Sequence, residues 1–409
     1  MRILMAGTFS FPEGGDGASR ALHMQAKGLA QAGHEVLVAV CCGTLEGRKS
    51  DLDGFKVKSF VSSSKDRKGM VAPFFWIYGQ LGMLLYLLYV TLARRFDTII
   101  YYGAAPVFAI AAVAGKFLKR HTCVVEGDLM AVRWQKLLFN SEEILARNVS
   151  LIIVGGSSVL EQHFTKIAPN TKCLRLWPPT DTDYFGSGSS IRARKKLNLS
   201  DAPLIVYAGA ISKLEGVDVL IESMKYVIEK CPEAKLIIAG PIVEHDAIIG
   251  KPLDYKGLVE ELGLAGVVFF TGKLLMPEVA DLLAAANVLV NPKVEHPANW
   301  VAAPIKIGEY LASGSPIVTT SVCELEVWLS DRRDVLFCKA GDSVELAKGI
   351  CDILTDTVLS DQLSRQGVIA SRRVCDFRVW GIKVIEAIEM DKGGQMRTLP
   401  KKMPLGRNW

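Results

Sequence analysis

Leu204-Ile205-Val206-Tyr207-Ala208-Gly209-Ala210-Ile211-Ser212-Lys213-Leu214-Glu215-Gly216-Val217-Asp218-Val219-Leu220-Ile221 decides the fold of this chain. A short apolar, β-branched run stops at a glycine, a loop follows, and apolar residues resume as a helix. That is how a buried strand of a parallel sheet passes into its crossover helix. The same kind of run recurs downstream at 235–240, 267–272, 287–292 and 316–321, and upstream at 2–7, 35–40, 98–103, 122–127 and 151–156. Helix-length segments separate the runs. Two doubly wound α/β domains, each Rossmann-like, are therefore expected. The turn-rich stretch from Trp177-Pro178-Pro179 to Gly186-Ser187-Gly188-Ser189-Ser190 puts a hinge between a domain at 1–180 and another at 190–375. Residues 376–390 read as a helix returning toward the first domain. Residues 391–409, broken by Gly393, Gly394, Pro400 and Pro404, read as a mobile basic tail.

Bulk properties narrow the function. At 409 residues the chain is long for one core, and with 50% apolar and 22% charged residues it is globular. Nine cysteines are scattered with no CxxC pair, which argues against a disulfide framework or zinc site and fits a reducing compartment. Met1 runs straight into the strand-like Arg2-Ile3-Leu4-Met5-Ala6-Gly7, so no signal peptide is expected and a cytoplasmic location is. Most of the net charge of +5 sits in the tail on Lys392, Arg397, Lys401, Lys402 and Arg407. Nucleic acid is accordingly not an expected partner.

Residues 70–93 carry no charge, and Lys65, Arg67, Lys68, Arg94 and Arg95 flank them. Three readings stand: a membrane span, a helix lying in the membrane interface at the inner face of the cell membrane, or an ordinary enclosed helix. Pro73, Gly79 and Gly82 interrupt the segment, and it falls between two strands of one domain, which weighs against a span.

Phe11-Pro12-Glu13-Gly14-Gly15-Asp16-Gly17 leads from the first strand into a helix, a loop suited to a phosphate or sugar hydroxyl. Pro304-Ile305-Lys306-Ile307-Gly308-Glu309-Tyr310-Leu311-Ala312-Ser313-Gly314-Ser315-Pro316-Ile317-Val318 joins a loop to a helix and then a strand. If Pro304 opens that helix, the backbone N–H groups at Pro304's neighbours and Ile305 face a cleft, and Glu309 lies just over one turn further on. These segments, with Gly33-His34-Glu35-Val36, Phe270-Thr271-Gly272 and Asn291-Pro292, resemble glycosyltransferase family 4 (glycosyl transferases group 1), whose fold is of the GT-B type. The resemblance spans nearly the whole chain.

What the resemblance implies is a retaining enzyme of the hexosyltransferase kind that moves a sugar from a nucleoside-diphosphate sugar to a saccharide or lipid-linked saccharide, as in surface polysaccharide or glycolipid assembly. Donor contacts are expected from Gly209, Lys213, Gly216, Gly272, Pro304, Ile305, Lys306 and Glu309, with Glu309 on the ribose. Gly14 and Gly15 would form a phosphate or acceptor loop. Glu126 and Asp128 stand at the strand end where many relatives carry a histidine, and are the expected catalytic carboxylates. No cofactor or metal is expected, because no clustered ligand set or paired-carboxylate motif occurs.

The chain also departs from the family pattern. Val301 occupies the place of an earlier glutamate, Ala210 that of a frequent arginine, and Glu215 that of the lysine preceding the loop glycine. Neutralising the diphosphate then falls to Lys213 and Lys306. Those departures keep a degenerate scaffold or sugar-nucleotide binder in play, alongside a nucleotide-sugar epimerase. A dinucleotide oxidoreductase is disfavoured, since no GxGxxG follows either domain's first strand.

Overall fold

The computed structural model describes residues 1–11, 17–43, 50–62, 72–127, 140–197, 201–244, 246–301 and 303–393. The first sheet holds β1 (Arg2–Phe11), β2 (Glu35–Gly43), β3 (Ser50–Leu52), β4 (Phe55–Ser62), β5 (Thr98–Tyr102), β6 (Thr122–Glu126), β7 (Leu151–Gly155) and β8 (Lys172–Leu176). Their order is β3-β4-β2-β1-β5-β6-β7-β8, parallel except for β3, which runs antiparallel to β4. Between these strands come α1 (Gly17–Gln31), α2 (Ala72–Leu92), α3 (Pro106–Phe117), α4 (Ser141–Asn148) and α5 (Ser158–Ile167). The short α6 (Thr182–Gly186) and α7 (Ser190–Lys196) lead into a second parallel sheet.

That sheet has the order β11-β10-β9-β12-β13-β14, from β9 (Leu204–Ala208), β10 (Lys235–Ala239), β11 (Val268–Gly272), β12 (Val288–Asn291), β13 (Ile317–Thr320) and β14 (Leu336–Cys338). Its helices are α8 (Val217–Lys230), α9 (Tyr255–Glu261), α10 (Met276–Ala285), α11 (Pro297–Val301), α12 (Ile305–Ser313), α13 (Leu325–Trp328), α14 (Ser343–Thr355) and α15 (Thr357–Val374). Both sheets are doubly wound, so each carries a separate apolar layer on either face.

Every apolar run of the sequence becomes a strand. Four further strands were not expected: β3, β4, β8 and β14. In β4 (Phe55-Lys56-Val57-Lys58) polar and apolar residues alternate, and in β8 (Lys172-Cys173-Leu174-Arg175-Leu176) charged residues interrupt the apolar ones, as suits strands near a sheet edge with one wet side. β14 is a three-residue edge strand.

The chain crosses between sheets twice, and the two crossings are tied together. Thr180 N donates to Cys375 O at 2.7 Å and Phe377 N to Thr180 O at 3.1 Å. Beyond this point α16 (Phe377–Asp391) packs along α1 of the first sheet. The contact needs glycine on both sides: a Cβ on Gly28 would lie 2.2 Å from Phe377 O, and one on Gly381 2.3 Å from Gly28 O. The basic tail starts later than the sequence reading has it. Asp391 still belongs to α16 and pairs with Lys172 at 3.0 Å, while Lys392 donates to Asp97 O at 2.9 Å. Residues 394–409, the rest of that tail, lie outside the described residues.

Most of the uncharged segment forms α2. Among the described residues no helix is long and apolar enough to cross a membrane. Nor is α2 enclosed: Met83, Leu87 and Val90 are buried under the first sheet, whereas Ile77, Leu81, Leu85 and Leu92 are exposed.

Candidate functional site

In an open α/β sheet the ligand crevice lies beyond the strand C-termini, where the strand order reverses. In the second sheet this point falls between β9 and β12, so the loops leaving those two strands meet there. Gly216 caps α8 at φ +72°, and a Cβ on it would stand 1.9 Å from Pro292 O. Only glycine permits both that conformation and that approach. The consequence is that Glu215 on one loop meets Lys293 on the other.

Glu215 lies between two ammonium groups. Its Oε1 is 2.6 Å from Lys293 Nζ and its Oε2 is 2.6 Å from Lys306 Nζ. Lys293 also donates to Asn299 Oδ1 at 2.9 Å. Lys306 reaches this point from the first turn of α12, passing over the Tyr207 ring at 4.4 Å and donating to its hydroxyl at 2.9 Å. A Cβ at Gly209 would sit 2.5 Å from Lys306 Nζ, so this glycine leaves the lysine its path. Burial would raise the Glu215 carboxyl, but Lys306 and Lys293 outweigh it and bring it down to about 2. Burial also lowers the Lys306 ammonium, against the pull of Glu215.

Lys213, expected beside Lys306, is placed elsewhere. Its Nζ pairs with Asp218 at 2.8 Å in the first turn of α8, and its N–H donates to Asp246 Oδ2 at 2.6 Å. The cation that the fold brings to Lys306 is Lys293. Gly272 ends β11 at φ +70°, and its carbonyl accepts from Gly240 N at 2.9 Å, which puts it on the same edge of the sheet.

Pro304 caps α12 in an extended conformation and Ile305 opens the helix. The N-terminus of α1 lies opposite, since a Cβ on Gly17 would be 3.6 Å from Ile305 Cδ1. Two positive helix ends thus converge from different sheets. Glu309 is 7% exposed, and its Oε1 accepts from Arg20 Nη1 of α1 at 2.7 Å. Burial raises the Glu309 carboxyl above its ordinary value, and Arg20 and Lys306 only partly offset that. A cavity of about 430 Å³ opens beside this pair, lined by Met24, Lys27, Tyr184, Met276, Ile305 and other residues of α1 and α6.

The first sheet faces this site with the ends of β6 and β7. Glu126, the last residue of β6, is buried. Asp128, Gly14 and Gly15 lie outside the described residues. Past β7 the backbone turns at Gly156 (φ +68°) and touches the loop ahead of α12, where a Cβ on Gly156 would be 2.6 Å from Ala303 Cβ. Ser157 Oγ donates to Trp300 O at 2.6 Å, and Arg175 pairs with Glu324 at 2.8 Å. The cleft is therefore bridged on both flanks.

Two facing Rossmann-like sheets with a ligand crevice between their C-terminal edges define the GT-B class of fold. Solved structures share it across nearly the whole chain. HepE from Anabaena, in complex with UDP, superposes with a TM-score of 0.70 at 16% identity over 95% of this chain and 100% of that one. A sucrose-phosphate synthase from Thermosynechococcus elongatus gives 0.71 at 17% identity, over 96% and 99%. At such identities the likeness is one of fold.

Residues 202–356, the second sheet with its loops, match the family described as "Glycosyl transferases group 1". A D-inositol 3-phosphate glycosyltransferase of Streptomyces avermitilis is 31% identical over 303 residues, 72% of this chain and 60% of that protein. One of Streptomyces coelicolor is 29% identical over 213 residues, 51% of this chain and 45% of that protein. The chain thus spans 60% or less of the length of these curated relatives.

Proposed function

We propose that the protein is a retaining glycosyltransferase that takes a sugar from a nucleoside-diphosphate donor, bound at the α12 N-terminus, and passes it to an acceptor held by the first sheet. The observation that carries this reading is the meeting of Lys306, Lys293 and the start of α12 at the switch point of a sheet whose sequence matches glycosyl transferases group 1. As the glycosidic bond breaks, negative charge gathers on the departing diphosphate, so the groups needed most are donors aimed at its oxygens. The N–H groups of α12 and the two ammonium groups supply them. Glu215 holds both lysines in the free protein and gives them up, in part, to the phosphates. Glu309 accepts from the ribose hydroxyls. Glu126, at the end of β6, meets the transferred sugar or the attacking hydroxyl, and Asp128 shares that catalytic role.

For the acceptor we propose a saccharide or lipid-linked saccharide. The curated relatives are named for a phosphorylated inositol, and that class belongs in the same acceptor trial. The departures at Val301, Ala210 and Glu215 favour one second reading, a sugar-nucleotide binder without turnover.

A thermal-shift panel of nucleoside diphosphates and their sugars tests the proposal. A ligand at about 100 times its Kd adds about 2.7 kcal/mol of apparent stability. At least one nucleotide sugar should stabilise the wild type and fail to stabilise Glu309→Gln to the same degree. Stabilisation with the nucleotide sugar left unchanged in every acceptor mixture would select the binder reading, and conversion of the nucleotide sugar to its epimer with no acceptor consumed the epimerase. No stabilisation by any nucleotide would refute the donor site.

A further inference from the structure

The outer faces of α2 and α3 are apolar, and among the described residues nothing is packed over them. On α2, Ile77, Leu81 and Leu85 recur about one turn apart and Leu92 follows two turns later on the same side, with Leu85 60% and Leu92 68% exposed. On α3, Ile110, Val113 and Phe117 repeat at helical spacing, and Phe117 is 87% exposed. The two helices pack side by side on the same face of the first sheet, so their stripes join into one surface. Large apolar patches are uncommon on monomers without an interaction to serve.

Charge identifies the occupant. Neither helix contains an acidic residue. Arg94 and Arg95 follow α2, while Lys116 and Lys119 mark the end of α3, and all four are exposed. Tyr78 and Tyr89, exposed on the outer side of α2, are the ring type enriched where hydrocarbon meets headgroup. The Arg95 guanidinium stands 5.2 Å from the Tyr89 ring centroid. The nearby carboxylate of Asp97 is already held, accepting from Arg2 N at 2.7 Å. Anionic headgroups complement these basic ends.

We propose that the α2–α3 face docks on an anionic lipid membrane, with both helices lying in the interface and their basic ends on headgroups. Apolar insertion and headgroup attraction then act together. The second is screened by salt and the first is not.

Sedimentation with vesicles, in the absence of any nucleotide, tests this apart from the transferase reading. The protein should pellet with phosphatidylcholine vesicles containing phosphatidylglycerol, bind pure phosphatidylcholine far less, and be only partly released by high salt. Leu85→Glu and Phe117→Glu change exposed side chains, so unfolding midpoints should stay near wild type while vesicle binding falls at least tenfold. Removing Arg94 and Arg95 together as Gln should weaken binding by about fivefold per residue and reduce its salt dependence. Wild type that stays in the supernatant with both vesicle types overturns the proposal, as do folded Glu variants that pellet like wild type. So does a dimer, seen by light scattering and lost in Leu85→Glu, with no vesicle binding; it would give this face to a second copy.

Discussion

Glu215→Gln tests the assignment of the second sheet's switch point, because the carboxylate has opposite effects in the free and the donor-bound protein. In the free protein it is the partner of two largely buried ammonium groups, each 2.6 Å away. Removing one partner of a buried ion pair typically costs about 3–5 kcal/mol, since the remaining charge has lost its compensation. The two lysine side chains keep 9% and 14% of their exposure, so water relieves part of this, and the lower end, about 3 kcal/mol, is expected. At roughly 2–4 °C per kcal/mol for a unit of this size, the unfolding midpoint should fall by about 6–12 °C. A diphosphate reverses the balance. Wild type must loosen Glu215 to bind it, whereas the variant presents two uncompensated cations. UDP or another accepted NDP should therefore raise the midpoint of Glu215→Gln by more than that of wild type, in calorimetry or dye-based melting. If the variant is as stable as wild type, the triad has been misjudged. An equal NDP shift in both proteins would mean that the diphosphate does not meet Lys293 and Lys306.

Other substitutions follow from the same geometry. Glu309→Gln should weaken donor binding by about 1.5–3 kcal/mol, the range for a hydrogen bond to a charged group, and calorimetry that finds an unchanged Kd would remove Glu309 from the ribose. Gly209→Ala puts a methyl 2.5 Å from Lys306 Nζ; the flexible lysine end yields, so turnover should drop more than the melting temperature, and the reverse order would contradict the role given to that lysine. The acid limb of stability should also depend on Glu215. Its folded-state value of about 2 lies below the ordinary 4.5, so its contribution is complete above pH 4.5 and lost as pH falls toward 2. Glu215→Gln should lose less stability than wild type across that window, and parallel curves would show that the lysines do not hold the carboxylate.

Buried strands were legible in the sequence because both of their faces are covered, which forces continuous apolar runs such as Leu204–Ala208. Strands β4, β8 and β14 escaped because a half-wet or very short strand carries no such run. The site divided in a similar way. Gly209, Gly216, Pro304 and Glu309 belong to local strand-loop-helix patterns, and the family resemblance, with the spacing of Pro304 and Glu309, pointed to them as donor contacts. Arg20 is 289 residues from the Glu309 it binds, a separation that no periodicity reports. One signal was present: a cation near the N-terminus of α1 opposes the helix dipole and implies a carboxylate partner. Glu215 read as a missing cation because its loop position was considered alone, without Lys293 and Lys306 on either side. Lys213 was read as a cation for the diphosphate from its place in the glycine loop, whereas Lys293, which reaches Lys306 and Glu215 from another strand's exit, carries no local signal in the sequence. The uncharged stretch 70–93 could not by itself tell a covered outer face from an open one, since that depends on what packs above it.

The central claim is transfer of a sugar from a nucleoside-diphosphate donor with its anomeric configuration kept. The most direct test is proton NMR of the product anomeric signal, recorded during turnover of a donor selected by the thermal panel in the presence of saccharide, lipid-linked saccharide and inositol phosphate acceptors. The account predicts stoichiometric release of the nucleoside diphosphate and a first-formed glycoside with the donor's own anomeric configuration. A first-formed product of the opposite configuration would contradict it, and so would donor that stays intact through every acceptor although the protein binds it.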